Sequence, residues 1–336
     1  MKIVVDFTIR RQPLEELARR SDVELVVLDP PAEAVREVDP SLIRDADALF
    51  CTFPPANLAS MERLKWVQIA STGYTQLFGL GLSERDIRAT NARGCFDVPI
   101  AEWNIAMMVC LARNVRQMIR HQEAGVWDRS AEFQTEIRGK TVGIWGYGGI
   151  GRETARLARQ FGLRVHVMTR SGVRPRPDMF TLPGTGDSDG VLPHQVFCAG
   201  EEEAFLGGLD FLIVAMPLTH QTRGCIGAAE LRRLPPHAFL LNPARGPIID
   251  QQALLTALGE HWFAGAALDA HYDYPMSPQN PFWKFPQVMI TPHISGSSLT
   301  PTFAERMWSI FMANVDRFAQ GEPLLNQLSV AELSGQ

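Results

Sequence analysis

The 336-residue chain is long enough for two domains of ordinary size, each with its own core. Its hydrophobic content of 46%, its charged content of 21% and its net charge of −5 are typical of a soluble globular protein and disfavour nucleic acid as a partner. The five cysteines are scattered, no signal peptide opens the chain and no apolar run would span a membrane, so we expect free thiols, no metal site and a cytoplasmic location.

In the first third of the chain, the spacing of apolar residues alternates between a pattern typical of strands and a pattern typical of helices. Strands are predicted at 2–6, 23–28, 46–52 and 66–70, and helices at 13–20, 35–44 and 58–64. Alternation of this kind favours a parallel sheet with helices on both faces.

A long helical pattern at 100–123 follows, which would lead into a second domain and could also serve a dimer. Alternation then resumes, with a helix predicted at 251–258 and strands at 141–145, 163–169, 209–215, 238–242, 264–269 and 288–290. Residues 172–193 are rich in Gly, Pro, Ser and Asp and indicate an unusually long loop. A final amphipathic helix at 301–320 is expected to pack on the first domain.

A glycine-rich turn follows the first strand of the second series. Gly146, Gly148 and Gly151 form the pattern G-x-G-x-x-G, with Tyr147, Gly149 and Ile150 in the intervening positions. A strand before it and a helical pattern after it favour a dinucleotide-binding turn over a structural one.

The next strand ends at Thr169, Arg170 and Ser171, where an NAD-binding domain carries an acidic residue for the ribose. Arg170, with Arg174 or Arg176, would instead bind a 2′-phosphate through charge-assisted hydrogen bonds. The alternative is a set of solvated loop arginines. We predict NADP as the preferred cofactor, with NAD possible.

Two further strand ends carry candidate catalytic residues. Arg245 follows the strand at 238–242, where open α/β sheets bind ligands, and its planar fork suits a carboxylate. His293 follows the strand at 288–290 and is able to titrate near neutral pH. Taken alone, a surface salt bridge would explain the arginine, and capping or core packing the histidine.

In this order the motifs resemble the D-isomer-specific 2-hydroxyacid dehydrogenases over nearly the whole chain, in particular the glyoxylate/hydroxypyruvate reductase branch. The motifs that carry the resemblance are the glycine-rich turn and residues 138–140, 217–219, 222–223, 242–250, 268–269, 281–283 and 291–293. The resemblance implies an α/β fold of two Rossmann-like or flavodoxin-like domains, each a parallel sheet with helices on both faces, and an active site in the interdomain cleft. The substrate domain would be discontinuous, 1–99 plus 297–336, and the dinucleotide-binding domain would be 100–296 including the linking helix 100–123.

The resemblance also implies roles for individual residues. Arg245 would bind the carboxylate and carbonyl of the substrate, and His293 would act as acid and base at the carbonyl oxygen. Pro217 and Asp269 would join the cofactor site, with Asp269 on the nicotinamide carboxamide. The substrate residues would be Ser71, Thr72 and Gly73, through their backbone N–H groups, and Trp283, for which a core or interface position is an equal alternative.

One position departs from the family pattern. Tyr274 stands where the family has the glutamate that pairs with the catalytic histidine. Without that counter-charge, the pKa of His293 should be lower than in the family. Tyr274 could still orient the imidazole by a hydrogen bond, whereas Asp273 should point to the opposite face and His271 should serve packing.

The sequence therefore predicts a dimeric, NADPH-preferring oxidoreductase that converts a small 2-oxo acid of the glyoxylate or hydroxypyruvate type to the D-2-hydroxy acid. The alternative is a dinucleotide-responsive binding protein of the same fold with little turnover. Tyr274 favours this alternative, and Arg245 and His293 oppose it.

Overall fold

A computed structural model describes residues 1–8, 10–32, 34–176, 180–298 and 300–335. The chain forms two compact units. The first comprises Met1–Phe96 and Ser298–Gln336 with Phe180, and the second comprises Asp97–Pro177 and Thr181–Ser297. The predicted boundaries at 99/100 and 296/297 lie close to these, but the prediction did not place Phe180 in the first unit.

Strands and helices alternate in both units, as the sequence predicts. The strands are β1 Lys2–Asp6, β2 Glu24–Val27, β3 Ala48–Cys51, β4 Trp66–Ile69, β5 Arg88–Thr90, β6 Thr141–Trp145, β7 Arg164–Thr169, β8 Gln195–Cys198, β9 Phe211–Val214, β10 Phe239–Asn242, β11 Gly265–Leu268 and β12 Val288–Ile290. The helices are α1 Arg11–Ala18, α2 Pro40–Ile43, α3 Asp97–Ala112, α4 Val115–Glu123, α5 Gly149–Gln160, α6 Glu202–Leu206, α7 Ala228–Arg232, α8 Gln251–Gly259, α9 Pro301–Gln320 and α10 Val330–Leu333.

The first unit is built on a parallel sheet in the order β2-β1-β3-β4-β5. The prediction that α9 returns to this unit is confirmed, because Phe311 stacks on Phe50 at 4.4 Å and on Trp66 at 5.2 Å between ring centroids. The helix begins at a Thr300 side chain that accepts a bond from the N–H of Phe303.

The second unit contains a parallel sheet in the order β12-β11-β10-β9-β6-β7-β8. Fully buried apolar side chains cover both of its faces, with Phe205 and Phe263 in one cluster and Ile144 and Val167 in the other. The strand order reverses between β6 and β9, and ligands of such sheets bind at the carboxyl ends of the strands beside that reversal. The predicted fold class of two parallel α/β sheets is therefore confirmed.

Three predicted helices differ from the structure. The helix expected at 35–44 is only α2, because Pro40 disfavours helical backbone at the preceding residue. The helix expected at 58–64 is one 3₁₀ turn, Leu58–Ser60, too short to propagate an α-helix. The helix expected at 100–123 is broken into α3 and α4 by Asn114, which has a left-handed φ of 48°.

Among the described residues, five short strands and α-helices were not predicted: β5, β8, α6, α7 and α10. They span three to five residues each, and every one contains a polar or charged residue, so no apolar run marks them as it marks the equally short strands β3 and β9. Within the described ranges, no helix combines the length and the apolar character that a membrane span requires.

Candidate active site

The glycine-rich turn connects β6 to α5 at the reversal point of the sheet. Gly146 has a φ of 107°, and a Cβ there would lie 2.7 Å from the carbonyl carbon of Ala215. A Cβ on Gly151 would lie 2.5 Å from the Gly146 carbonyl oxygen. At Gly148, by contrast, no atom of the described residues beyond Gly148 itself and its two chain neighbours lies within 4 Å of the Cβ position. The turn thus packs tightly beneath and is open above, as a dinucleotide pyrophosphate requires.

Thr169, Arg170 and Ser171 end β7, the strand next to β6. Arg170 and Ser171 are exposed, and the Thr169 hydroxyl is buried with no hydrogen-bond partner among the residues that the structure describes. An unpaired buried hydroxyl is uncommon, and a ligand oxygen would pair it. Pro217 follows β9 on the other side of β6, where its carbonyl accepts a 2.7 Å bond from the Thr222 hydroxyl. The residues present therefore fit a dinucleotide.

Arg245 is held by a turn that follows β10. Asn242 braces this turn, because its side chain accepts from the N–H of Ala244 and donates to the carbonyl of Arg245, both at 3.1 Å. The Arg245 guanidinium donates to the Ala244 carbonyl at 2.7 Å, its one hydrogen bond to the described part of the chain. Burial lowers the pKa of Arg245, but an arginine stays charged at neutral pH. Its remaining N–H groups are therefore available to bind a ligand.

His293 lies on the loop that follows β12. Its φ of 58° is in the left-handed region, which is uncommon for a residue other than glycine and recurs at functional sites. The fully buried carboxylate of Asp269 anchors this loop by accepting bonds from the Thr291 hydroxyl at 2.5 Å, the Ile294 N–H at 2.9 Å, and both the N–H and the hydroxyl of Ser295.

These bonds add a structural role to two residues. Asp269 is fully buried and positions the His293 loop, and its predicted contact with the nicotinamide carboxamide stays a prediction. His271, expected only to pack, is also part of that support, because its Nε2 donates to the carbonyl of Thr291 at 2.7 Å. The hydroxyl residues at 291 and 295, downstream of an acidic strand end, were the available sequence signal for this support.

Tyr274 lies beside His293, with 5.3 Å between the ring centroids and 46° between the planes. Its hydroxyl accepts from the His271 N–H at 2.9 Å and makes no hydrogen bond with the His293 ring in the described structure, so orientation of the imidazole by that hydroxyl stays a prediction. His293 is exposed, so its imidazole is accessible. The protein packed around it partly desolvates the ring, which lowers the pKa of His293, and the charge of Arg245 lowers this pKa further. The direction is the one that loss of a carboxylate partner predicts.

Arg245, Tyr274 and His293 belong to one group. They follow β10, β11 and β12, which are neighbours in the sheet, and the charge of Arg245 acts on the pKa values of both other residues. The structure thus brings a fixed cation and an accessible titratable imidazole together at one sheet edge, the combination that polarises a carbonyl and exchanges a proton with its oxygen.

The predicted substrate residues Ser71, Thr72 and Gly73 form a loop after β4 in the first unit. The Ser71 hydroxyl donates to the Gly73 carbonyl at 2.6 Å, and the Asn91 side chain donates to the Thr72 carbonyl at 2.8 Å. Their three backbone N–H groups donate to no residue in the described ranges, so these donors are open to an anion.

Trp283, the remaining predicted substrate residue, is 44% exposed on the second unit. Its indole N–H donates to the Ser277 carbonyl at 3.0 Å, which orients the ring from within its own loop. Contact of Trp283 or of the Ser71 loop with a substrate stays a prediction.

Fold and site together define a class of protein: an oxidoreductase that binds a nicotinamide dinucleotide on a doubly wound sheet and carries an arginine after β10 and a histidine after β12, the two strands that flank β11. Residues 105–295 match the family described as "D-isomer specific 2-hydroxyacid dehydrogenase, NAD binding domain". The chain belongs to the D-isomer-specific 2-hydroxyacid dehydrogenases and is an NAD(P)-dependent enzyme of that family.

Individual relatives agree with this assignment. A glyoxylate reductase of Aeropyrum pernix is 30% identical over 96% of this chain and 93% of its own, and one of Thermofilum pendens is 29% identical over 83% and 80%. The crystal structure of a D-isomer-specific 2-hydroxyacid dehydrogenase family protein from Aeromonas salmonicida superimposes with a TM-score of 0.78 at 25% identity and covers 98% of both chains.

Proposed function

We propose that the protein reduces a small 2-oxo acid of the glyoxylate or hydroxypyruvate type with NADPH to the D-2-hydroxy acid. The observation that carries this proposal is the grouping of Arg245 with an accessible His293 in the same unit as the dinucleotide turn. The two relatives named glyoxylate reductase support the choice of acid.

The roles of the side chains follow from their chemistry. The Arg245 fork binds the carboxylate of the acid, and its charge polarises the neighbouring 2-oxo group. A bound reduced nicotinamide supplies the hydride. His293 as imidazolium gives a proton to the carbonyl oxygen, and its neutral form accepts that proton in the reverse direction.

NADPH is proposed over NADH because of the residues at the end of β7. The position that would hold a ribose-binding carboxylate is Thr169, next to the exposed Arg170. A guanidinium there attracts a 2′-phosphate, and a carboxylate that would repel it is missing from the position.

A homodimer is proposed as the assembly. Exposed apolar side chains cluster on α4 and the segment that follows it, which is unusual for a surface that stays in water. The cluster comprises Met118, Ile119, Val126, Trp127 and Phe133, with Trp127 88% exposed.

Steady-state oxidation of NADPH against a panel of 2-oxo acids tests the activity, with glyoxylate and hydroxypyruvate as the expected best substrates. His293→Ala should lower kcat by about 10²- to 10⁴-fold while NADPH still binds, because only proton transfer is lost. Cofactor binding is followed separately by fluorescence titration.

Turnover of no acid by a wild-type protein that binds NADPH would contradict the proposal. That result would favour the dinucleotide-responsive binding protein, for which the uncharged Tyr274 beside His293 is the supporting observation.

A further inference from the structure

Residues 172–176 and 181–193, here called the cap segment, fold against the glycine-rich turn and α5. The carboxylate of Asp187 is buried at the centre of this contact. It accepts a 2.6 Å bond from the hydroxyl of Tyr147, the residue inside the glycine pattern, and bonds of 3.0 and 3.1 Å from the N–H groups of Val191 and Leu192. The segment is therefore fastened to the turn itself.

Arg152, the first residue after the glycine pattern, provides the second attachment. It is 1% exposed and lies over the Tyr147 ring at 4.9 Å. Its guanidinium donates to the carbonyls of Asp187 and Arg174, the latter at 2.6 Å. Burying a guanidinium is costly unless its donors are paired. Nη1 and Nη2 of Arg152 are paired with these carbonyls, whereas Nε is not, so the two bonds favour a particular backbone path of the cap segment.

The path that Arg152 holds is Arg174-Pro175-Arg176. The Arg174 carbonyl is bound by Arg152, and the N–H of Arg176 donates to the Ser188 carbonyl at 2.8 Å. Both sides of the proline are thus tied while both arginine side chains remain exposed. Burial, and next the charge of Arg176, lowers the pKa of Arg152, while the charge of Asp187 raises it.

We propose that Arg152 is a positioning residue that holds Arg174-Pro175-Arg176 as a phosphate-binding element, which acts with Arg170 on the 2′-phosphate of NADP. This inference rests on the proposed NADPH preference. The exposed guanidinium groups of Arg170, Arg174 and Arg176 carry charges opposite to that of a phosphomonoester, which each of them would attract. Because hydrogen bonds already hold the backbone of residues 174–176, binding of the phosphate costs less conformational entropy.

The decisive experiment compares Arg152→Met with wild type for NADPH and NADH. The KM for NADPH should rise about tenfold, as expected for a misplaced charge-assisted bond, while kcat and the KM for NADH stay within about twofold. Arg170→Ala serves as the direct-contact reference, with a rise in the KM for NADPH at least as large.

A binding measurement removes the dependence on turnover. Adenosine 2′,5′-bisphosphate should bind Arg152→Met and Arg176→Ala about tenfold more weakly than wild type, while binding of 5′-AMP is unchanged. Arg164→Met is the matched control, because Arg164 begins β7 at the opposite edge of the sheet. It should leave the affinity for both nucleotides unchanged.

Equal losses for NADPH and NADH, or no loss for either, would overturn the inference. If Arg152→Met does not fold, Tyr147→Phe decides, since it deletes one hydroxyl from the same attachment and should shift the NADPH preference in the same direction. A wild-type enzyme that prefers NADH would instead contradict the proposed cofactor, so the two failures are distinguishable.

Discussion

Tyr274 lies beside His293, the proposed catalytic histidine, with 5.3 Å between the ring centroids. The phenol carries no charge that would stabilise the imidazolium. Arg245 acts in the opposite direction, so the pKa of His293 lies below its ordinary value. The imidazolium fraction then falls as the pH rises through that lowered pKa, and the reduction should be favoured at acidic pH, the reverse oxidation at higher pH.

Tyr274→Glu should restore the counter-charge. A carboxylate beside the imidazole should raise the pKa of His293, so that the imidazolium persists to higher pH. We expect the descending limb of the pH profile of kcat for reduction to move to higher pH. Tyr274→Phe is the control and should leave the limb in place. An unmoved limb in the glutamate variant would mean that position 274 does not govern His293.

At the scale of elements, segments with a clear apolar pattern were predicted, and five short ones without it were not. The bounds of β1 and α9 agree with the prediction because each buries a set of apolar positions. The break between α3 and α4 depends on one left-handed residue, Asn114, inside an otherwise helical pattern. A left-handed residue persists when the surrounding structure stabilises it, and a local sequence pattern does not show those contacts.

The packing of α9 gives a prediction on stability. Phe311 is fully buried between the rings of Phe50 and Trp66, so Phe311→Ala should lower the free energy of unfolding of the first unit by about 3–5 kcal/mol. Urea unfolding followed by circular dichroism measures this. Ser309→Ala, an exposed change on the same helix, should cost less than about 0.5 kcal/mol. A small effect of Phe311→Ala would show that α9 contributes little to this core.

At the scale of the whole molecule, the exposed apolar side chains on α4 and the segment that follows it predict self-association. Sedimentation velocity should give about twice the chain mass of 37.4 kDa. Trp127→Glu should shift the protein to the monomer, because a buried carboxylate without a partner opposes association. Val330→Glu, which charges an exposed apolar position on α10, should remain dimeric. A monomeric wild type, or a dimer that Trp127→Glu leaves intact, would contradict this interface.

The sequence by itself determined the features that depend on neighbours along the chain: the alternation that builds two parallel sheets, the glycine pattern at 146–151, and Arg245 and His293 at strand ends. Tertiary structure alone decided which distant groups meet. The carboxylate of Asp269 binds the loop at 291–295, and the Tyr274 ring lies beside His293. Asp187 accepts a hydrogen bond from Tyr147, which is 40 residues away in the sequence. Periodicity shows which face of an element is buried, whereas the partner of a buried polar group depends on how separate strand ends come together.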